Sequence, residues 1–322
     1  MHAIFSAMNV VVTGGAGFIG SHVVRALLKK GDTVTIIDNF DDFYDPAIKR
    51  NNIASLDCEV TPIDLRDEKK IHQLLKRIKP ETIIHLAARA GVRPSILNPK
   101  LYLETNVNGT LNLLEGARAS GCHRFLFASS SSVYGLSKVV PFHEALPLPQ
   151  TLSPYAATKL AGEQLCGNFS YLYGMRTLCL RFFTVYGPAQ RPDLAIHHFT
   201  NAISRGQSIK QFGDGSTRRD YTYIDDIVQG ILGAMTYEGE LFDIFNLGEN
   251  ETTTLSALIA MLEQSIGRKA IIEQLPEQPG DMPLTCADIS KARRLLHYNP
   301  TTPLAIGIPK FVEWYKQVAG NS

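Results

Sequence analysis

The chain has 322 residues, of which 44% are hydrophobic, and its formal net charge is +1. A chain of this length can form one large domain or two domains of moderate size. Because the charges nearly cancel, there is no bulk attraction to nucleic acid or to an anionic membrane. No apolar run is long enough to span a bilayer, so the sequence predicts neither a nucleic-acid nor a membrane partner.

Cysteine usage and the N-terminal segment favour a cytoplasmic protein. The cysteines form no CxxC pair and their number, five, is odd, which favours reduced thiols over a disulfide framework. Residues 1–12 are apolar but lack a basic segment and a cleavage site, so they are interpreted as a leader followed by the first strand. No metal is expected, because the adjacent His197 and His198 lack a frame of Cys or acidic ligands.

A glycine-rich loop lies between the first predicted strand and the first predicted helix. Residues 9–13 (NVVVT) are a continuous β-branched run, typical of a strand buried on both faces. The loop reads GGAGFIG over 14–20, and a helical segment and a second strand, 33–37, follow it. Glycines at this place permit a tight turn and the close approach of a pyrophosphate to the helix N-terminus. The pattern predicts a dinucleotide site.

Asp38 ends the second predicted strand and indicates which dinucleotide binds. Its carboxylate would accept hydrogen bonds from both ribose hydroxyls of an adenosine and would repel a 2′-phosphate. No Arg follows directly, so NAD is favoured over NADP. Asp64, after a third strand at 58–62, either hydrogen-bonds the adenine edge or caps a helix over 66–78, and the two roles are compatible.

The fourth predicted strand, 82–86, is followed by small residues and by two arginines. Ala87 and Ala88 suit close passage under a dinucleotide, and His85 is interpreted as structural. Arg89 and Arg93 are placed on a loop at the carboxyl ends of the strands, where ligands bind in such sheets. A long helix over 101–119 contains Asn106 as an inward polar group.

A hydroxyl run and a tyrosine–lysine pair follow the fifth strand, 125–128. Tyr155 and Lys159 lie four residues apart on a helix over 154–173, so one helical face presents both. A phenol titrates near a pH of about 10, and an ammonium one turn away would favour the phenolate and lower that pKa. A serine of the strand could bind the same substrate oxygen. The pattern favours removal of a proton from an alcohol during hydride transfer, although the pair alone also fits a core tyrosine and an exposed lysine.

Strands and helices alternate up to a sixth strand at 176–182, which predicts an α/β, Rossmann-type doubly wound parallel sheet. Later elements are shorter, with strands predicted at 209–212, 220–223 and 243–247 and helices at 254–266 and 303–318. We predict an NAD-binding domain over 1–185, to which some segments after about residue 215 return. A smaller α/β substrate domain is predicted mainly over 186–322.

The motifs GGAGFIG, Asp38, HLAA, SSSSVYG and YAATK, in this order, resemble the extended short-chain dehydrogenase/reductase family over nearly the whole chain. Within it the chain is most similar to the nucleotide-sugar epimerases, in particular to the branch that acts on UDP-glucuronate. The segments that carry this closer similarity are DNFDDFYD, AGVRPS, FASSSSVYG, LRFFTVYGPAQRPD, STRRDYTYIDD and QPGDMPLTCAD.

The resemblance implies a reaction in which NAD stays bound. Tyr155 takes the proton from the sugar 4-hydroxyl, and Lys159 lowers the pKa of Tyr155 and binds the nicotinamide ribose. Ser130 matches the catalytic Ser/Thr of the family. The hydride moves to the nicotinamide, the 4-keto sugar rotates, and the hydride returns to its other face. The cofactor-binding residues implied are Gly14, Gly17, Phe18, Ile19, Gly20, Asp38, Asn39, Asp64, Leu65, Leu86, Ala87, Ala88, Asn106, Tyr155 and Lys159.

Residues that differ from those of other branches of the family indicate which reactions are disfavoured. Family dehydratases carry Asp-Glu just before VYG and decarboxylases usually carry Glu, where this chain has Ser131 and Ser132. Hydroxyls have no acid strength near neutral pH, which argues against loss of water and against decarboxylation. Thr184 replaces the Asn of hexose epimerases, and Gln278 replaces an Arg, and both match the uronate branch.

A 4-keto uronic acid is a β-keto acid and can lose carbon dioxide, so an epimerase must restrain the carboxylate. We hypothesise that Ser131, Ser132 and Thr184 do so. Arg191 either joins them, shapes its loop or touches the diphosphate. Arg219 matches a family arginine that meets the phosphates; alternatively it is a surface charge. The substrate-binding residues implied are Arg93, Ser130, Ser131, Ser132, Tyr155, Thr184, Arg191 and Arg219.

Other functions stay open at this point. They are 4-epimerisation of a neutral or N-acetylated UDP-hexose, decarboxylation of UDP-glucuronate, and a non-catalytic NAD-sensing regulator. Regulators of this kind tend to lose the Tyr/Lys pair, which is present here. The resemblance also implies a homodimer through the helices at 101–119 and 154–173. Asp225 and Asp226 are predicted to cap the helix that follows them.

Overall fold

The computed structural model describes residues 7–276 and 282–319, and the chain divides into two compact units. The first unit contains the described residues up to 133, together with 153–181 and 231–245. The second contains 134–152, 182–230 and the described residues from 246 onward. Segment 231–245 thus returns to the first unit. Segment 134–152, which the predicted domain 1–185 includes, belongs to the second.

The strands and helices alternate along most of the chain. The strands are β1 (Asn9–Thr13), β2 (Thr33–Ile37), β3 (Glu59–Thr61), β4 (Thr82–His85), β5 (Arg124–Ser130), β6 (Arg176–Phe182), β7 (Thr184–Tyr186), β8 (Ser208–Phe212), β9 (Arg218–Arg219), β10 (Tyr221–Tyr223), β11 (Phe242–Leu247), β12 (Thr253–Thr254) and β13 (Ile271–Leu275). The helices are α1 (Phe18–Lys30), α2 (Pro46–Ile53), α3 (Glu68–Ile78), α4 (Val92–Leu97), α5 (Pro99–Tyr102), α6 (Gly109–Ser120), α7 (Pro154–Tyr173), α8 (Ala195–Arg205), α9 (Ile224–Met235), α10 (Leu255–Ile266), α11 (Ser290–Leu296) and α12 (Leu304–Ala319).

Seven strands form one sheet in the order β11-β6-β5-β4-β1-β2-β3. The pairs β1–β2, β1–β4, β2–β3 and β4–β5 are parallel. Val10, Val11 and Val12 of β1 are completely buried, as expected for a strand covered on both faces. The predicted Rossmann-type sheet is confirmed. Its carboxyl edge, between β1, β2 and β4, carries the loops that begin at Gly14, Asp38 and Leu86.

The predicted helix over 101–119 differs from the observed one. Helix α5 runs through a π-helical turn, Leu103–Asn108, into α6, so the helical path covers residues 99–120. A π turn contains an extra residue relative to an α turn and is frequent at functional sites. The turn contains Asn106, which is 3% exposed.

In the second unit, β7 pairs with β10, β9 with β12, and β8 with β13. Segment 134–152 belongs to this unit, and its backbone forms hydrogen bonds with other segments of the unit. Phe142 N donates to Cys286 O, and Asp288 N donates to Phe142 O, both at 2.8 Å. The hydroxyl of Tyr134 donates to Asn246 Oδ1 at 2.7 Å.

Asp226 has a different role from the predicted helix cap. Both Asp225 and Asp226 lie in the first turn of α9, but Asp226 is 4% exposed and reaches the segment before α12. Its carboxylate accepts from Thr301 N at 2.9 Å and from Thr302 N at 3.1 Å. A buried carboxylate that satisfies two backbone N–H groups fixes the start of α12.

Replacing Asp226 is expected to destabilise the second unit. Asp226→Ala leaves two backbone N–H groups without their acceptor and should lower the free energy of unfolding by about 1–3 kcal/mol. Asp225→Ala, an exposed neighbour in the same turn, is the control and should cost less than about 1 kcal/mol. The chain has one tryptophan, Trp314 in α12. Its fluorescence during urea unfolding measures the difference, and equal losses in the two variants would contradict the anchoring role.

Candidate active site

The glycine loop after β1 has the geometry of a phosphate cradle. Gly14 has a φ of 68°, and a Cβ on it would lie 2.8 Å from Ala87 N. A Cβ on Gly20 would lie 2.1 Å from Gly14 O, so neither position accepts a side chain without rearrangement. Helix α1 begins after Gly17 with no side-chain cap and no acidic residue in its first turn. The positive end of α1 thus has no negative side chain of its own, which suits an anion.

Asp38 lies beside this loop at the end of β2. Its carboxylate accepts from Ala16 N at 3.2 Å and from Phe40 N at 2.9 Å, so it joins the glycine loop to the turn after β2. The side chain is 7% exposed, and burial raises the pKa of its carboxyl despite these hydrogen bonds. Asn39 follows it and donates from Nδ2 to Asp64 Oδ2 at 3.0 Å.

Asp64 does not cap the next helix. The cap of α3 is Asp67, which accepts from Lys70 N, and the helix begins at Glu68 instead of Arg66. Asp64 accepts from Arg66 Nε at 2.9 Å and from Arg66 Nη2 at 2.8 Å, and this pairing holds the pKa of its carboxyl well below the usual range. The cap prediction is wrong because the competing aspartate three residues later has the capping geometry.

The end of β4 is fixed by a buried histidine. His85 Nδ1 lies 2.7 Å from Thr13 Oγ1, and its Nε2 lies 2.9 Å from Thr110 Oγ1. Burial lowers the pKa of His85 to about 3, so the ring is neutral at physiological pH. Leu86 N and Ala87 N donate to the backbone and side-chain oxygens of Thr13, which places the Ala87–Ala88 segment over the glycine loop.

Asn106 ties the segment after β4 to α7. Its Oδ1 accepts from Arg89 N at 2.8 Å, and its Nδ2 donates to Arg89 O at 2.9 Å and to Thr158 Oγ1 at 3.0 Å. Its amide therefore holds the protein framework, whatever it contributes to a cofactor. The guanidinium of Arg89 pairs with Asp41 of the turn after β2 at 2.5 Å. Neither this ion pair nor the link to Thr158 is predicted from the sequence.

The first unit brings Ser130, Tyr155 and Lys159 together at the end of β5 and the start of α7. Helix α7 starts there because Ser153 accepts from Ala156 N at 3.2 Å and Pro154 occupies the first turn. Lys159 Nζ donates to Ala128 O, two residues before Ser130, at 2.7 Å. The same nitrogen lies 5.9 Å from the centre of the Tyr155 ring. Tyr155 is half-buried and Lys159 is 4% exposed.

Burial lowers the pKa of Lys159 from 10.5 to about 8. A lysine in this range is still mostly protonated at neutral pH, and its charge acts in a medium of low dielectric constant. An ammonium of this kind beside a phenol is the arrangement that makes the phenol a usable base.

The serine run lies in a half-buried turn next to the lysine. Ser130 is the last residue of β5, and its Oγ accepts from Ser132 N at 3.2 Å and from Ser132 Oγ at 2.9 Å. Ser131 begins the 3-10 turn that runs to Tyr134. Residues 130–132, where the chain leaves the sheet, thus carry hydroxyl side chains.

Three other predicted substrate residues lie in the second unit. Thr184 begins β7, and its backbone N donates to Asp220 O at 3.1 Å. Arg191 donates from Nε and Nη2 to the two oxygens of Asp193 at 2.9 Å, a bidentate pair within one turn. Arg219 is half-buried in β9. Arg218, predicted to face solvent, is exposed and donates to Thr252.

Arg93 is exposed and lies in the short helix α4, which follows Gly91 at a φ of 100°, instead of on a loop. Gln278 lies outside the described residues.

Sequence reasoning missed Asp220 and Glu163, both buried acids. Asp220 accepts from Glu249 N at 2.8 Å, from Ala287 N at 3.0 Å and from Asn250 N at 3.1 Å, which joins three segments of the second unit. Glu163 lies four residues after Lys159 on the same face of α7, and that spacing was the available signal.

Within the described residues, no group of three or more His, Cys, Asp or Glu side chains is arranged to hold a metal ion. Among the same residues, no helix has the length and hydropathy needed to cross a membrane.

The model of the NAD dependent epimerase/dehydratase family matches residues 10–248. The UDP-glucuronate 4-epimerase of Thermodesulfobacterium geofontis is 41% identical, and the match covers 95% of this chain and 96% of that protein. The chain belongs to the NAD-dependent epimerase/dehydratase family. A crystal structure of a Bacillus cereus UDP-glucuronic acid 4-epimerase in complex with UDP-glucuronic acid and NAD is 38% identical, with a TM-score of 0.91 over 97% of this chain and 100% of that one. A Thermotoga maritima UDP-glucose 4-epimerase with UDP-glucose is 33% identical, with a TM-score of 0.90 over the same shares.

The residues of the first unit fit the cofactor of the epimerase/dehydratase family. The cradle at Gly14 and Gly20 has no room for a Cβ, and the uncapped N-terminus of α1 can receive a diphosphate. Asp38 at the end of β2 lies at the position expected for an adenosine ribose. Lys159 has one N–H donor on Ala128 O, and an ammonium has two more to offer a nicotinamide ribose.

The buried charge of Lys159 should cost stability in the cofactor-free protein. The difference between the pKa of about 8 and the ordinary 10.5 corresponds to about 3 kcal/mol. Because the folded pKa is the lower one, the unfolded chain binds more protons between these two values, and wild-type stability should rise with pH across that window. Lys159→Met should therefore be more stable at pH 7 by up to about 3 kcal/mol, with a gap that closes toward pH 10.5.

Urea unfolding of the cofactor-free proteins, followed by circular dichroism at several pH values, measures this gap. Lys100→Met is the control, because the Lys100 side chain is 86% exposed, and it should show no comparable gap. A stability gap that does not change with pH would contradict the view that the buried charge of Lys159 causes it.

Proposed function

We propose that the chain is an NAD-dependent UDP-glucuronate 4-epimerase that interconverts UDP-glucuronate and UDP-galacturonate. The observation that carries this proposal is the site at the end of β5. There the Tyr155–Lys159 pair and the Ser130 hydroxyl lie beside the hydroxyls of Ser131 and Ser132. Curated relatives named for this activity and a solved relative that holds UDP-glucuronic acid support the choice of sugar.

In the proposed reaction Tyr155 removes the proton from the 4-hydroxyl of the sugar and later returns it. The Lys159 ammonium favours the phenolate by its charge, and Ala128 O fixes its position. Ser130 donates to the same sugar oxygen as charge develops on it. Bound NAD supplies the chemistry that side chains lack, since it accepts the hydride from C4 and gives it back.

Ser131 and Ser132 are proposed to bind the uronate carboxylate. A hydroxyl donor restrains a carboxylate but, unlike Glu, it cannot exchange a proton with the sugar near neutral pH. The resemblance adds Thr184 and Arg191 to the proposed substrate ligands, and it adds Arg93 and Arg219 for the rest of the UDP-sugar. The Arg191–Asp193 pair favours the view that Arg191 shapes its own turn.

The second candidate is 4-epimerisation of a neutral UDP-hexose, which the similarity to the Thermotoga maritima enzyme favours. Proton NMR of the purified protein with UDP-glucuronate alone separates the candidates. Growth of a UDP-galacturonate anomeric signal without added NAD is expected, because a reaction with no net redox change allows the cofactor to stay bound. No signal even after NAD is added, with turnover of UDP-glucose in the same assay, would select the neutral-sugar epimerase.

Two substitutions test the assigned roles. Tyr155→Phe removes the proton acceptor and should lower kcat by about 10²–10⁴-fold while binding persists.

Ser131→Glu places a like charge next to the uronate and should raise KM for UDP-glucuronate with a smaller effect on a neutral UDP-hexose. An equal effect of Ser131→Glu on both sugars, measured by the same NMR assay, would remove Ser131 from the carboxylate site.

We further propose a cytoplasmic homodimer. All five cysteines are free thiols, as expected in a reducing compartment. The first unit exposes apolar side chains on and next to the helices predicted to pair, namely Leu97 at 87%, Leu103 at 54%, Tyr171 at 89% and Leu172 at 62%. A surface of this kind is typical of a protein–protein interface.

Leu172→Glu should shift the protein from dimer to monomer at micromolar concentration, because it places a charge within the apolar surface. Leu136→Glu is the matched control, since Leu136 is also 62% exposed but lies in the other unit. Light scattering coupled to size exclusion measures both masses. A dimer that survives Leu172→Glu unchanged, or a monomeric wild type, would contradict the proposed interface.

A further inference from the structure

Glu163 is a completely buried acid one turn beyond Lys159 on α7, at 1% exposure. Its carboxylate accepts two hydrogen bonds from Arg181 of β6, from Nε to Oε1 and from Nη2 to Oε2, both at 2.8 Å. A third comes from Ser129 Oγ at 2.5 Å. The proposed proton transfer uses none of these three side chains directly.

These contacts hold the end of β5 against α7 immediately beside the reacting groups. Lys159 bonds to Ala128, Glu163 bonds to Ser129, and Ser130 is the next residue of the strand. Two successive strand residues are thus joined to two successive turns of the helix. A Cβ on Gly162 would lie 2.3 Å from the Phe127 ring, so the glycine permits this close approach.

Stability alone does not explain a buried ion pair at this place. Removing two charges from water is expensive, and apolar residues of similar volume often replace such a pair without loss of stability. Glu163 also lies four residues after Lys159 on the same face of α7, and a negative charge at that spacing favours the protonated form of the lysine. Lys159 needs that support because burial favours the neutral amine.

Within the described part of the chain, Glu163 is the carboxylate that acts on the charge of Lys159. Burial raises the pKa of the Cys179 thiol well above its usual value, so this thiol stays protonated and carries no charge at neutral pH. His85 is neutral at physiological pH. Among the described residues, the ionisable groups that act on Lys159 include Tyr155, Glu163 and Cys166 of α7, Cys179 of β6 and His85 of β4, and Arg181 of β6 pairs with Glu163.

We propose that Glu163 is a positioning residue for the epimerase reaction, which holds the end of β5 in place through Ser129 and keeps Lys159 an ammonium. Arg181 fixes the Glu163 carboxylate in the orientation that serves both contacts. The inference rests on the proposed function, because it assigns to Glu163 a task that only a Tyr–Lys site requires.

Glu163→Gln tests the charge at nearly constant shape. Without the carboxylate, Lys159 should lose its proton at lower pH, so the alkaline limb of the kcat profile moves down by about one pH unit. Above the new limb kcat should fall about tenfold, and at acidic pH the difference from wild type should become small. KM for UDP-glucuronate should change little. A loss of kcat by the same factor at every pH would overturn the charge role.

Thr177→Val is the matched control. Thr177 is buried in β6 and donates from Oγ1 to Cys166 O at 2.8 Å, so its loss disturbs the same packing without a change of charge. Its kcat profile should keep the wild-type alkaline limb. A limb that moves equally in Thr177→Val would show that packing defects produce the effect, and would overturn the inference.

A second variant covers the case in which Glu163→Gln does not fold. Glu163→Leu combined with Arg181→Met removes both charges and should keep a thermal midpoint near that of wild type. It should still lose about tenfold or more in kcat, because Ser129 and Lys159 lose their partner. Wild-type kcat in this double variant would overturn the proposal.

A double-mutant cycle gives a readout without turnover. Lys159→Met should raise the urea midpoint more in the Glu163→Gln background than in wild type, since the lysine is then without its carboxylate. Equal increases would overturn the coupling. Failure of the wild type to epimerise any UDP-sugar would instead count against the proposed function and leave the measured coupling standing.

Discussion

The site depends on an ammonium kept out of water. Lys159 is buried, bonds to the backbone of β5 and lies near the phenol of Tyr155, the base of the proposed reaction. Such a charge is costly in a low dielectric medium, and for the same reason it acts strongly on its neighbours. Three features place the Lys159 ammonium at the end of β5. They are the start of α7 at Ser153, the close approach of helix and strand at Gly162, and the charge of Glu163.

Much of the fold was predictable because its signals are local. Strands β1 and β2, helix α7 and strand β6 have the predicted bounds. The signals that predict such bounds, namely β-branched runs in strands and a capping serine and glycine at the ends of a helix, lie in or next to the element itself. The assignment of 134–152 to the second unit was not predictable. It depends on backbone pairing between Phe142 and residues near 286–288. The sequence of the segment does not predict a pairing partner more than a hundred residues away.

The candidate site divides in the same way. The glycine loop, Asp38 and the Tyr155–Lys159 pair follow from spacing and chemistry that a short stretch of sequence displays. Asp226 was misjudged because an acid at the start of a helix usually caps it, whereas this one accepts from Thr301 and Thr302. The uses of a buried acid are set by the tertiary partners that surround it, and sequence spacing alone does not identify them.

The serine turn after β5 has a consequence for the evolution of specificity. Hydroxyls at 131 and 132 do not ionise in the physiological range, so in the proposed reaction they can bind the substrate without exchanging a proton with it. If the sugar binds where we propose, one amino-acid substitution to an acid at either position would place a proton donor beside it, and both residues are only half-buried. Reaction specificity in such an enzyme therefore depends on keeping acidic side chains out of these two positions. A protein with this fold can acquire a different reaction while its fold and its cofactor stay the same.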